Sequence, residues 1–386
     1  MSKKSKLAMV AILVIAFVLR PAVAQMGPIL QIIQTGLSID SSQVALLTAV
    51  PVLCFGFGAF ASPAIVRRFG VNHSMVYLLA ILVAAIAVRP YLGYYGLLLA
   101  TTIAGLLIAV ANVLLPTIVR ERFSKNIVFV TSAYTTILAA SASFAAAISY
   151  PSASSWGWQF ALAIWALPSL LAFGLSLSLL KGHHEAKVEV EHRDHSELWQ
   201  LVFRSPITWW VMALFGIQSL GFYALLGWLP SIGIGNGLDP AAAGGLLGLM
   251  TIIGVPVRFA IASNIGKFLS LSVEGVIISG ITAVGLTLLL MHLWIPAVVL
   301  IGIGQASSFP LSLSLISTRA GNSELTTILS SVVQGVGYLL AAAGTYFVGI
   351  LGNQTGNWNL SIALLLAVTL IQVVASWFAG LDRQIK

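Results

Sequence analysis

Twelve stretches of this chain stay apolar for long enough to cross a lipid bilayer: 8–34, 44–65, 75–93, 95–119, 126–150, 157–180, 207–231, 241–263, 271–290, 294–318, 325–351 and 357–380. A helix needs about 20 residues to span the hydrocarbon core. No water is available there, so the backbone must satisfy its own polar groups, which helices of this length do. The chain is therefore expected to be an all-α membrane protein with twelve transmembrane helices. Composition agrees. Only 8% of the 386 residues are charged, against roughly 25% in soluble domains. The spans form two groups of six, 1–180 and 207–386, joined by the only long polar stretch, 181–206.

The charges that remain are not scattered. Of the 19 Lys and Arg residues, 16 fall on one side of this arrangement, from Lys3, Lys4 and Lys6 to Arg383 and Lys386. Basic loops mark the cytoplasmic side, so both termini are placed in the cytoplasm of a multi-pass protein of the cell membrane. The net charge of +8 then follows from topology, and nucleic acid is not needed to explain it. The single cysteine, Cys54, excludes a disulfide framework and reads as a small buried apolar residue. The segment Val18-Leu-Arg-Pro-Ala-Val-Ala-Gln25 also has the look of a signal-peptidase site. However, the apolar stretch runs on to Ile33, and removal would leave eleven spans, so it is read as a retained first span.

The halves repeat at an offset near 200 residues. Ala45-Leu-Leu-Thr matches Gly245-Leu-Leu-Gly, Arg120 matches Arg319, Tyr134 matches Gln334, and Gly157-Trp-Gln matches Gly356-Asn-Trp. Two such six-helix bundles related along the membrane normal make up the major facilitator fold. The motifs are more specific still. Leu19-Arg-Pro with Gly27-Pro, Leu46 to Gly56, Ala111-Asn-Val-Leu-Leu-Pro116, Trp165-Ala-Leu-Pro168, Trp228-Leu-Pro230, Phe309-Pro-Leu and Gln334-Gly-Val-Gly-Tyr338 resemble the cyanate-permease and 2-nitroimidazole-transporter branch of the major facilitator superfamily. The resemblance covers nearly the whole chain. It implies a transporter whose site lies near the midplane between the halves, lined by spans 1, 4, 7 and 10 with help from 2, 5, 8 and 11. One departure stands out. The loop after the second span reads Ser62-Pro-Ala-Ile-Val-Arg-Arg-Phe-Gly-Val-Asn-His73 and lacks the family's Asp. The lock attributed to that loop is expected to be weaker or differently built.

Three arginines, Arg20, Arg89 and Arg258, lie in or beside spans. A charge at the centre of a lone span costs about 2.5–3.5 kcal/mol on insertion scales, so it needs partners. The eleven acidic residues all fall in loops, in the linker or near helix ends, and none sits at mid-depth. Arg20 and Arg258 are thus candidate anion ligands, because a guanidinium grips planar oxyanions with two N–H groups and keeps its charge. Pro21 opens the first helix beside Arg20. Arg89, near an outer end, reads as a snorkelling interface residue. On the spans that the resemblance assigns to the cavity, Asn112, Tyr134, Gln218, Tyr223, Gln305, Gln334 and Tyr338 fall near mid-depth as hydrogen-bonding candidates, with bonding between helices as the alternative.

Other features have plain readings. The runs Ala139–Ala147 and Gly335–Gly344 suit close helix packing. Gly302-Ile-Gly304 lacks the strand and acidic residue of a nucleotide fingerprint. His183, His184, His192 and His195 in the linker lack accompanying thiols, so no metal is expected. No P-loop, triad or paired carboxylate is present, so neither an enzyme nor a cofactor is expected. The expected function is secondary or facilitative transport of a small anionic or polar molecule, such as a cyanate-like oxyanion, by alternating access. The alternative is export of neutral nitroheterocycles or other drug-like compounds, with the arginines structural. The expected partners are the small-molecule substrate and the lipid bilayer, with a coupling proton left open. The protein is expected to act as a monomer. A receptor or scaffold would have wanted a soluble domain, and none is seen.

Overall fold

The computed structural model describes residues 3–180, 195–262 and 269–385. The first span begins as α1 (Lys3–Leu19), a run of alanine and branched apolar residues, and stops at Arg20. Pro21 has no N–H for the carbonyl one turn back, so the ladder is interrupted there. Arg20 takes φ −101°, and the four-residue α2 (Pro21–Ala24) follows. A 3₁₀ turn at Gly27–Ile29 and α3 (Leu30–Leu37) finish the span. Asp40 then starts α4 (Ser41–Phe69) with a reciprocal capping box: its carboxylate accepts the Gln43 N–H at 2.9 Å, and Gln43 Oε1 accepts the Asp40 N–H at 3.0 Å.

Gly70, at φ 76°, ends α4 and opens α5 (Val71–Val88), which runs into a 3₁₀ turn at Arg89–Tyr91. Next come α6 (Gly93–Arg122), α7 (Ile127–Trp156) and a sixth span split into α8 (Trp158–Ala163) and α9 (Ala166–Leu180). A short amphipathic α10 (His195–Arg204) precedes α11 (Pro206–Gly235), α12 (Pro240–Ala262), α13 (Leu271–Leu290), α14 (Trp294–Arg319), α15 (Ser323–Thr355) and α16 (Trp358–Gly380). All twelve expected spans are helical. Among the described residues ten are long and apolar enough to cross a membrane, and α4 and α12 fill the other two places. No strand occurs among the described residues.

The chain divides into two compact units, Met1–Ser124 with Tyr134–Leu198, and Lys125–Ala133 with Trp199–Lys386. Within the first, α4 and α5 pack on α6, and α1 and α5 pack on α9. Within the second, α12 and α13 pack on α14, and α11 and α13 pack on α16. Moving each helix of the first set six spans onward produces the second set, so the repeat seen in sequence extends to packing. It reaches single residues. Trp158 at the start of α8 lies on Gly36 of α3, and Trp358 at the start of α16 lies on Gly235 of α11. A Cβ at either glycine would collide with the indole.

Helix ends repeat too. The last carbonyls of a helix have no partner within it. Arg122, ending α6, donates Nη2 to the Leu179 carbonyl of α9 and to Asn72 Oδ1 at 3.3 Å. Arg319, ending α14, donates Nε to Ala379 O at 3.2 Å and Nη2 to Gly380 O at 2.8 Å, both on α16, and Nη1 to Asp382 at 3.1 Å. The sequence pairs Arg120 with Arg319, and Arg122, two residues on, binds the end of α9. The loop lacking the family's acid still has a polar acceptor, since Asn72 takes the Arg122 N–H.

Burial separates the helices into two kinds. In α14 and α15 some 78% of the most apolar window is buried, against 39% in α5, α13 and α16 and 33% over Trp158–Leu180. The outer helices present large apolar side chains such as Leu170, Leu171, Leu370 and Ile371 to the surroundings, as a lipid-facing surface requires. Inside, glycines bring helices close. Gly302 of α14 sits on the Met250 carbonyl of α12, and Gly304 on Thr282 of α13, so Gly302-Ile-Gly304 is a packing feature. Gly337 of α15 faces Phe215 of α11 in the same way. Cys54 is buried, its thiol 3.6 Å from the Thr102 carbonyl.

Candidate functional site

The break in the first span carries the most unusual chemistry of the first unit. Arg20 occupies the junction of α1 and α2, and its carbonyl accepts from the Val23 and Ala24 N–H groups at 3.1 and 3.0 Å. Its half-buried guanidinium lies over the Phe55 ring of α4, with 5.9 Å from Cζ to the ring centroid. Such a contact is worth about 0.5–2 kcal/mol, depending on how dry it is. Phe55 is itself buried. Asn112 of α6 and Tyr134 of α7, also in this unit, are both buried.

Arg89 does not snorkel as expected: its side chain is buried at the end of α5. The residue is 0% exposed, and Nη1 donates to the Ala22 carbonyl at 2.9 Å. The reason lies in the break. Met26 N–H bonds back to Val23 in a tighter turn, so it does not use the Ala22 carbonyl as a regular helix would. Arg89 fills that vacancy from 67 residues away. Gln25, one turn past Ala22, is also 0% exposed. Sequence reasoning missed both. One signal was available: Arg89-Pro90 repeats the Arg20-Pro21 dipeptide inside another apolar run.

In the second unit the structure joins several candidates directly. Gln218 of α11 donates Nε2 to Gln305 Oε1 of α14 at 3.4 Å and accepts the Ser219 hydroxyl at 3.3 Å. Gln334 of α15 donates Nε2 to Ser330 Oγ at 2.7 Å. Tyr338, one turn further along α15, meets Phe215 edge-on at 5.2 Å and Tyr223 at 6.5 Å. The result is an amide pair near an aromatic cluster, mounted on α11, α14 and α15. Arg258 is half-buried on α12, its Nη1 folded back towards Gly254 one turn earlier. Arg20, Asn112 and Tyr134 thus belong to one unit, and Gln218, Tyr223, Arg258, Gln305, Gln334 and Tyr338 to the other.

The described acidic residues keep to helix ends. Asp40 and Asp239 bond N-terminal backbone N–H groups, and Glu197, Glu274 and Glu324 lie in first turns, where the helix dipole favours negative charge. No cluster of three potential metal ligands occurs among the described residues. His183, His184 and His192 lie outside them.

Residues 12–334 match the model of the Major Facilitator Superfamily. The chain is 31% identical to the 2-nitroimidazole transporter of Escherichia coli (strain K12), over 100% of this chain and 98% of that one. It is 25% identical to the cyanate transport protein CynX of the same organism, over 96% and 97%. Among solved structures, the proton:xylose symporter XylE bound to 6-bromo-6-deoxy-D-glucose superposes with a TM-score of 0.81 at 12% identity, covering 100% of this chain and 98% of that one. Helical architecture, internal repeat, family match and full-length relatives agree. The chain belongs to the Major Facilitator Superfamily, in the branch that includes those two E. coli transporters, and is a multi-pass membrane transporter, not an enzyme.

Proposed function

We propose that this transporter moves a small anionic or polar molecule, of the size of a cyanate-like oxyanion, by secondary or facilitative alternating access. In this proposal Arg20 and Arg258 bind the anion. Asn112, Tyr134, Gln218, Tyr223, Gln305, Gln334 and Tyr338 supply hydrogen bonds. Residues 1–180 and 207–386 act as two six-helix bundles with 181–206 as a cytoplasmic linker, and the protein works as a monomer. The observation that carries the reading is Arg20, a half-buried guanidinium at a helix break in the first span, set over the ring of Phe55. A positive group in that setting favours a negative guest. The full-length similarity to a cyanate transport protein is in keeping with this.

A second reading is export of a neutral nitroheterocycle, with the arginines structural. The similarity to a 2-nitroimidazole transporter supports it, as does the partly exposed ring of Tyr223, on which a flat heterocycle would stack.

Purified protein in liposomes separates the two. Under the first reading Arg20→Lys, which keeps charge but loses the planar fork, reduces cyanate flux by at least about tenfold, equivalent to one lost charged hydrogen bond. Unchanged flux would reject the arginine as an anion ligand. A ligand that binds only the folded state raises the melting temperature. Stabilisation by 2-nitroimidazole but not by cyanate, kept in Arg20→Lys, would favour the second reading.

A further inference from the structure

Arg89 is a completely buried cation that meets no carboxylate. Its one bond is from Nη1 to the Ala22 carbonyl, while Nε and Nη2 are buried without a partner. A guanidinium does not shed its proton in a protein. Burying an uncompensated charge is among the most expensive arrangements available to a fold. The C-terminal end of α5, which Arg89 caps, offers about half a negative charge, yet it leaves Nε and Nη2 unfilled. These two N–H groups lie along one edge of the guanidinium, the edge used in two-pronged grips on anions. Gln25 lies one turn past the carbonyl that Arg89 holds. Both atoms of its amide are buried and unpartnered, so it has two N–H groups to offer. Pro21, Ala22, Met26 and Pro90 beside them are buried as well, so a guest must be small and dehydrated.

We propose that Arg89 and Gln25 form an occluded site for one small monovalent anion, chloride-sized, within the first unit and separate from the Arg20 guanidinium. The anion supplies the negative charge that the chain does not, and it ties the broken first span to the turn after α5. A halide that stays bound and a transported anion in transit would share this chemistry.

Thermal unfolding of the full-length protein in detergent tests the proposal, with chloride or bromide titrated against gluconate, an anion too large to enter, at constant ionic strength. Bromide and chloride should raise the melting temperature saturably. Gln25→Leu should need about tenfold more bromide for half the effect, as expected for one lost hydrogen bond to a charged guest. Arg89→Leu should lose the effect and be at least as stable as the unsubstituted protein in gluconate, because the charge needing compensation is gone. Arg20→Gln should keep the effect. Cyanate competing with bromide in Arg20→Gln would identify a site that also takes transported anions, and no competition would identify a retained halide. Should Arg89→Leu not fold, bromide anomalous scattering from crystals of the unsubstituted protein decides, and a peak in contact with the Nε–Nη2 edge is expected. No such peak, a melting temperature indifferent to small anions, or an undiminished response in Arg89→Leu would overturn the proposal in favour of buried water.

Discussion

Arg122 and Arg319 close the ends of α9 and α16 with similar geometry and unequal resources. Arg319 spends three donors on two helix-end carbonyls and Asp382, whose side chain is 98% exposed. Solvent screens such an ion pair, and the carbonyls, which have no other partner in their helix, decide the outcome. Arg319→Ala is therefore expected to cost about 2–4 kcal/mol, and Asp382→Asn only a small fraction of that. Melting curves in detergent measure both, and equal losses would show the ion pair to be the dominant contact. At this scale the sequence was half legible. Arg20 stands out because it interrupts an apolar run. Arg89 did not, because a snorkelling arginine and a buried one look alike near a span end. What separates them is a carbonyl 67 residues away, freed by a helix break.

Among the helices, the break at Arg20-Pro21 and the glycine contacts of α14 carry the sharpest expectations. Pro21→Ala returns an N–H to the first span and favours a continuous helix by up to about 3 kcal/mol. A straightened span would turn Arg20 away from Phe55 and release Arg89 from Ala22. Transport is expected to fall severely, and full activity would show that the break is dispensable. Gly304→Val pushes a side chain into Thr282 and the Ile278 carbonyl, with an expected loss of about 1–3 kcal/mol. Helix number and extent were legible because length and hydropathy are local properties. The break of the first span at Arg20-Pro21 was legible in Pro21, whereas the splitting of the sixth span around Trp165 was not.

For the whole molecule, the expectation concerns energy across the bilayer. A charge crossing the membrane exchanges about 2.3 kcal/mol per 100 mV. An uncoupled monovalent anion should then distribute about 50-fold in favour of the positive side at 100 mV. Liposomes holding a set potassium potential measure this directly, and accumulation against that gradient would require a coupling ion. The repeat was legible as an offset near 200 with matched motifs such as Gly157-Trp-Gln and Gly356-Asn-Trp, yet the contacts those residues make were not. Only the structure pairs Trp158 on Gly36 with Trp358 on Gly235, because a tryptophan seated on a glycine leaves no periodic mark in sequence.

That pairing makes α11 the counterpart of the first span, and the two have diverged. The later copy runs unbroken from Pro206 to Gly235, whereas the earlier one is cut into α1, α2 and α3. If a single ancestral bundle was doubled, its leading helix is continuous in one descendant and broken in the other. The peptide groups freed by that break, and the two arginines beside them, therefore give the amino-terminal half a chemistry that its twin's leading helix does not repeat.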